Sequence, residues 1–144
     1  DYDSIAKFKK LVIPANEKKK KRNPVYNWWQ KLTSPTIIKE NDAINCSDFN
    51  PMNPSNFIYG TAEKCSLYNI QSEELSRSYS TKGTVLSCAY RSDGRLFCSS
   101  CKDGQIYIYD ENNSKTHALR NFKAHDSPVH VSLFSQNNTQ LYSG

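Results

Sequence analysis

A histidine, a C-x-x-C motif, two turn aspartates and a lysine run are the residues of this chain whose types suggest chemistry. Cys98-Ser99-Ser100-Cys101 has the thiol spacing of redox and zinc sites. A redox dithiol of that kind sits beside a βαβ unit, and no helical periodicity flanks this one. A zinc site needs a second ligand pair at suitable range, and Cys65 and Cys88 are isolated. His125 and His130 have a spacing that zinc fingers allow. A full strand and an outer strand separate them from Cys101, however, and Pro128 breaks the helix that carries such histidines. Asp93 and Asp103 each precede a glycine, and tight turns use that dipeptide because Gly accepts a positive φ. No nucleophile stands beside His125, and the five glycines form no phosphate-cradling loop. These residues read as structural. The expectation is a chain that is not an enzyme, with no metal, no cofactor and no small-molecule substrate.

The remaining chemical signal is charge. Of the formal net charge of +5, residues 1–31 hold nine Lys/Arg against three Asp/Glu, a net of +6, and residues 32–144 hold ten against eleven, a net of −1. The centre of the basic arm is Lys18, Lys19, Lys20, Lys21 and Arg22. Five adjacent cations are exposed, because no packed interior offsets their desolvation. Such a run is either a solvated tail or localisation signal, or a contact for a nucleic-acid backbone or acidic surface. Tyr26, Trp28 and Trp29 follow it. Those rings either stack on bases or dock as anchors against the side or bottom of the folded domain.

The elements that position these residues are strands. The 144 residues suffice for one domain with a sizeable core, although 37% hydrophobic content and a mean hydropathy of −0.74 leave part of the chain solvated. No apolar run approaches the roughly 18 residues of a membrane span. The five cysteines read as reduced, half-buried thiols of an intracellular protein. Period-2 alternation and turn dipeptides predict strands at 36–39, 43–49, 56–61, 64–68, 75–79, 85–90, 96–100, 105–109, 116–122, 129–134 and 140–143. No helix is expected. Phe49 and Tyr90 are 41 residues apart, as are Tyr68 and Tyr109, and Phe134 follows Tyr90 by 44. Four short strands per unit of that length are the mark of a propeller blade, whereas an immunoglobulin-like sandwich lacks the self-similar unit.

The motifs agree with that unit. Gln105–Tyr109 after the Asp103-Gly104 turn resembles the central strands of a WD-repeat blade, with Tyr109-Asp110 in the place of Trp-Asp and Ala124-His125 in the place of Gly-His. The resemblance gives Asp103, Tyr109, Asp110 and His125 structural roles. His125 is expected to bond a Ser or Thr and an Asp of its own blade, with those partners beyond Gly144. The expected fold is all-β, an incomplete WD-repeat propeller. A basic arm, largely irregular, covers 1–34, and about two and a half blades cover 36–79, 80–122 and 123–144. A ring needs four to eight blades, so the sequence is expected to continue past Gly144.

Four segments carry a closer likeness: Tyr26-Asn27-Trp28-Trp29; Thr33-Ser34-Pro35-Thr36-Ile37-Ile38-Lys39-Glu40; Asp48-Phe49-Asn50-Pro51; and Tyr90-Arg91-Ser92-Asp93-Gly94-Arg95-Leu96 leading into Lys102-Asp103-Gly104. Through them residues 10–144 resemble the U three small nucleolar RNA-associated protein 15 family, WD-repeat subunits of the ribosomal small-subunit processome. Tyr109 in place of Trp and Thr81 in place of a second His depart from the pattern. The resemblance implies a scaffold of the nucleus and nucleolus, concerned with transcription and processing of precursor ribosomal RNA. Its partners would be other WD-repeat and helical processome subunits, precursor ribosomal RNA and the snoRNA particle. Lys18–Arg22, Trp28 and Trp29 are then candidate RNA or partner contacts. The alternative is a protein-only WD-repeat adaptor, of a ubiquitin ligase or transport complex, whose basic arm serves nuclear import.

Overall fold

The computed structural model describes Val25 and residues 37–144. The chain divides into two units, Asp1–Lys39 and Glu40–Gly144, and the second holds every strand below. Lys18–Arg22, Trp28 and Trp29, and most of the expected arm, lie outside the described residues.

Strands β1 (Cys46–Phe49), β2 (Asn56–Gly60), β3 (Lys64–Asn69) and β4 (Glu74–Ser80) pair in chain order as one antiparallel sheet. Strands β5 (Val85–Tyr90), β6 (Leu96–Cys101), β7 (Gln105–Asp110) and β8 (Arg120–Lys123) repeat that order in a second sheet. Strands β9 (Ser132–Phe134) and β10 (Leu141–Ser143) form a third, two-stranded sheet. Short strands joined by turns build meanders, because each hairpin satisfies its backbone groups locally. The fold is an incomplete WD-repeat β-propeller with two four-stranded blades and the inner hairpin of a third.

The repeat extends to the register. Phe49 pairs Phe57, Tyr90 pairs Phe97 and Phe134 pairs Leu141, one equivalent pair in each blade. The next pair across is Phe57 with Tyr68 in the first blade and Phe97 with Tyr109 in the second. Side chains alternate faces along a strand, so keeping this register keeps every blade's apolar set on matching faces.

The core lies between blades. Ile58, Cys65, Leu67 and Tyr79 of the first blade close on Val85, Cys88, Tyr90, Phe97, Cys101, Tyr107 and Tyr109 of the second. A smaller cluster joins Ala89, Cys98 and Ile106 of the second blade to Val129, with Phe134 and Leu141 of the third against it. Close approach requires Gly60: a methyl there would stand 2.4 Å from Val85 Cγ1 and 2.6 Å from Cys46 Sγ. Four cysteines are buried and only Cys46 is half-buried, so burial is deeper than expected.

Several expected strands are corrected. Residues 37–39 form no strand despite the β-branched Ile37-Ile38, and no described strand pairs with them. The strand expected from residue 43 begins at Cys46, and the one expected over 129–134 is only Ser132–Phe134. The outer strand expected over 116–122 is Arg120–Lys123. The residues after β7 turn instead: the Asn112 N–H bonds Asp110 Oδ1 at 3.0 Å and the Lys115 N–H bonds Asn113 Oδ1 at 3.0 Å. Such Asx turns compete with a ladder for the backbone.

Candidate functional site

One position recurs just before each blade and faces the strand after the first turn. In the third blade it is His125, whose Nε2 lies 2.9 Å from the Ser143 hydroxyl. That hydroxyl partner was expected beyond Gly144; β10 supplies it, one residue earlier. In the first blade the position is Glu40, which is 41 residues before Thr81, itself 44 before His125. The Tyr59 hydroxyl donates to Glu40 Oε1, and Lys64 Nζ stands 2.9 Å from Oε2. Tyr59 and Ser143 are equivalent, each two residues past the paired Phe57 and Leu141. The Tyr59 hydrogen bond and the Lys64 ammonium hold the Glu40 carboxyl below its ordinary range. Burial, with the Glu40 bond second, pushes the Tyr59 phenol up to about 12. A carboxylate–phenol–ammonium set and an imidazole–hydroxyl pair thus do the same job, tying the chain entering a blade to that blade's inner hairpin.

The second blade solves the problem differently. Thr81 turns its hydroxyl onto its own loop, donating to Gly83 O at 2.9 Å. Ser99, equivalent to Tyr59 and Ser143, instead lies 3.3 Å from the Tyr109 hydroxyl. Tyr109 is 1% exposed, with ring centroids 4.6 Å from Tyr79 and 5.0 Å from Phe97. Burial raises its phenol far above the ordinary value. Asp110 takes an ion pair from Arg95 at 3.4 Å and caps the following turn. Asp103 accepts the Gln105 N–H at 3.1 Å. Gly104 between them has φ 84°, and a methyl on it would meet the His125 carbonyl oxygen at 2.0 Å. That places the Asp103 turn directly against the loop carrying His125.

A second set of polar contacts crosses from blade one to blade two. Asp48 Oδ2 accepts the Tyr90 N–H at 2.7 Å, and Asn45 Nδ2 donates to Val85 O at 2.9 Å. Glu111 accepts Asn50 Nδ2 at 2.7 Å and Asn56 Nδ2 at 2.6 Å, while Arg77 Nη1 donates to the Glu111 carbonyl at 2.6 Å. Sequence reasoning named Asp48, Asn50 and Tyr90 only as parts of repeat segments, and paired none of these residues across the blades. The 41-residue period was the signal available for Glu40; nothing in the sequence marks Glu111 as the partner of Asn50.

Among the described residues no group of three or more His, Cys, Asp or Glu side chains could hold a metal, and His125 is bonded to the Ser143 hydroxyl. Cys98 donates to Ala89 O at 3.6 Å inside the core, and Cys101 is fully buried. A cleft of about 410 Å³ opens between β4 and β8, lined by Ser78, Ser80, Tyr107, His117 and Asn121. On the third blade Leu133 and Tyr142 pair and are 56% and 60% exposed. Their equivalents in the second blade, Ala89 and Cys98, are buried against Val129. Exposed contiguous apolar side chains of this kind mark contact surfaces.

Residues 73–110 match the family model described as WD domain, G-beta repeat. The chain is 32% identical over 144 residues to U3 small nucleolar RNA-associated protein 15 homolog of Gallus gallus, an alignment covering 97% of this chain and 27% of that protein. It is 27% identical over 119 residues to U3 small nucleolar RNA-associated protein 15 of Saccharomyces cerevisiae, covering 82% of this chain and 23% of that protein. It is also 27% identical over 137 residues to WD repeat-containing protein 1 of Bos taurus, covering 93% of this chain and 23% of that protein. The chain spans about a quarter of the length of the curated relatives it matches.

Proposed function

We propose that this WD-repeat chain, which resembles U3 small nucleolar RNA-associated protein 15 over nearly all of its length, is a non-catalytic scaffold of ribosome biogenesis. It acts in the nucleolus, within the small-subunit processome, in the transcription and processing of precursor ribosomal RNA. Its partners are other WD-repeat and helical processome subunits together with the U3 snoRNA particle. The observation that carries this reading is the similarity itself, found in vertebrate and yeast relatives alike at 27–32% identity. The blade geometry supports it: polar latches and aromatic seams make rigid slices, and rigid slices present surfaces rather than reacting groups. Lys18–Arg22 with Trp28 and Trp29 form the contact arm, suited to phosphates by charge and to bases by stacking.

Purification of the full chain from cells, with and without ribonuclease, tests the reading. Precursor ribosomal RNA, the snoRNA particle and processome subunits are the expected partners. Their absence from both preparations overturns it, and recovery of ubiquitin-ligase or transport subunits instead would favour a protein-only adaptor.

A further inference from the structure

Cys46 and Cys88 lie on strands β1 and β5 of neighbouring blades, at the seam described above. Two cross-blade hydrogen bonds bracket them: Asn45 Nδ2 to Val85 O at 2.9 Å on one side, and the Tyr90 N–H to Asp48 Oδ2 at 2.7 Å on the other. Between those bonds one position of β1 and one of β5 bring their side chains to the same core cluster. Those positions carry Cys46, packed at its edge, and Cys88, within it. Gly60 leaves the room: a methyl there would stand 2.6 Å from the Cys46 sulfur. The other three cysteines are placed differently. Cys65, Cys98 and Cys101 are fully buried, and Cys98 is committed to Ala89 O and the Ser132 hydroxyl.

We propose that Cys46 and Cys88 are an oxidation site, a thiol pair that a peroxide converts to a disulfide joining the first blade to the second. The half-buried Cys46 is the thiol that solvent reaches, and Cys88 is the one beside it that resolves it. As the thiolate, Cys46 attacks one oxygen of hydrogen peroxide, the O–O bond breaks, and hydroxide leaves and takes up a proton as water. Cys46 is then a sulfenic acid. The Cys88 sulfur displaces the sulfenic oxygen, forming the S–S bond and releasing a second water. Overall two thiols and one peroxide give one disulfide and two waters, with sulfur oxidised and peroxide oxygen reduced. The neighbouring Cys88 thiol lowers the Cys46 pKa, which favours Cys46 as the attacking thiolate. The bond would close a loop across the blade boundary and lock the seam that Asp48 and Asn45 hold by hydrogen bonds alone.

The test treats the full folded chain with hydrogen peroxide, alkylates the remaining thiols after denaturation, and maps the peptides by mass spectrometry. Two of the five thiols should disappear, a linked Cys46–Cys88 peptide should appear, and reduction with dithiothreitol should restore all five. Cys46→Ser should abolish the linked peptide, and Cys88→Ser should leave Cys46 as a sulfenic acid that a dimedone probe traps. If peroxide leaves Cys88 alkylatable while Cys46 goes to sulfinic or sulfonic acid, or if another cysteine is linked to Cys46, the proposal fails. The wild-type map decides this without any variant, so misfolding of a substituted chain does not blur the outcome.

Discussion

The Asp48 carboxylate accepts the backbone N–H of Tyr90 at 2.7 Å, across the boundary between two blades and at a separation of 42 residues. Tyr90 opens the aromatic pair of the second blade, so the repeat unit is pinned to its neighbour close to one full period along the chain. The bond is charge-assisted and half-buried, the kind that outweighs an ordinary backbone contact.

Asp48→Ala leaves the Tyr90 N–H without that acceptor at a half-buried seam. An expected loss of about 1–3 kcal/mol follows, the desolvation cost of an unsatisfied donor. Urea unfolding of the full chain reads it as a lower midpoint with an unchanged slope; a midpoint equal to wild type would mean that the bond adds nothing.

Two glycines should rank by what a methyl would strike. At Gly104 it meets a carbonyl oxygen at 2.0 Å with φ at 84°, so backbone must move and an L-residue is strained there. At Gly60 it meets side chains, Val85 Cγ1 at 2.4 Å and Cys46 Sγ at 2.6 Å, which can give slightly. Gly104→Ala should cost about 3–5 kcal/mol and Gly60→Ala about 1–3 kcal/mol. Thermal denaturation of both variants checks the order, and the reverse order would contradict the close approach of the Asp103 turn to the His125 loop.

Acid should loosen the first blade through Glu40. Its carboxyl is held below the ordinary value by the Tyr59 hydroxyl and Lys64, whereas in the unfolded chain it titrates near about 4.3. The unfolded state therefore binds the proton first as pH falls. The stabilisation is complete above the unfolded pKa and fades as pH drops through the lower folded one. Glu40→Gln should flatten the fall of Tm between neutral pH and about 3. A residual slope should survive from Asp93, which Arg91 holds down in the same direction. An unchanged pH profile in Glu40→Gln would show that the latch carries no charge-dependent stability.

If the basic arm contacts RNA, replacing Lys18, Lys19, Lys20, Lys21 and Arg22 by Gln should weaken single-stranded RNA binding and flatten its salt dependence by about 0.7 per lost phosphate contact. Fluorescence anisotropy over a salt series measures both. A wild-type slope indistinguishable from that of the variant would remove the arm from RNA recognition and leave the localisation reading.

The residues legible from sequence were those whose signal is local or periodic. Phe49, Tyr90 and Phe134 marked the blades because a period of 41–44 residues survives any detail of packing, and Asp103-Gly104 marked a turn because a positive φ favours glycine. Ile37-Ile38 misled: β-branched residues suit a strand, but a strand exists only where a neighbour completes its ladder. The outer strand of the second blade shortened for a related reason, since Asp110 and Asn113 bound nearby backbone before a ladder did.

What the chain alone determined is therefore the unit, its length and the places of its turns, all consequences of alternation and backbone stereochemistry. What folding decided is who meets whom between units: Asp48 with Tyr90, Asn50 with Glu111, Cys46 with Cys88. Those partners stand 42 to 61 residues apart. Their meeting depends on how two twisted sheets stack, a geometry set by the summed shape of Ile58, Tyr79, Phe97 and Tyr109 in the seam rather than by any spacing along the chain.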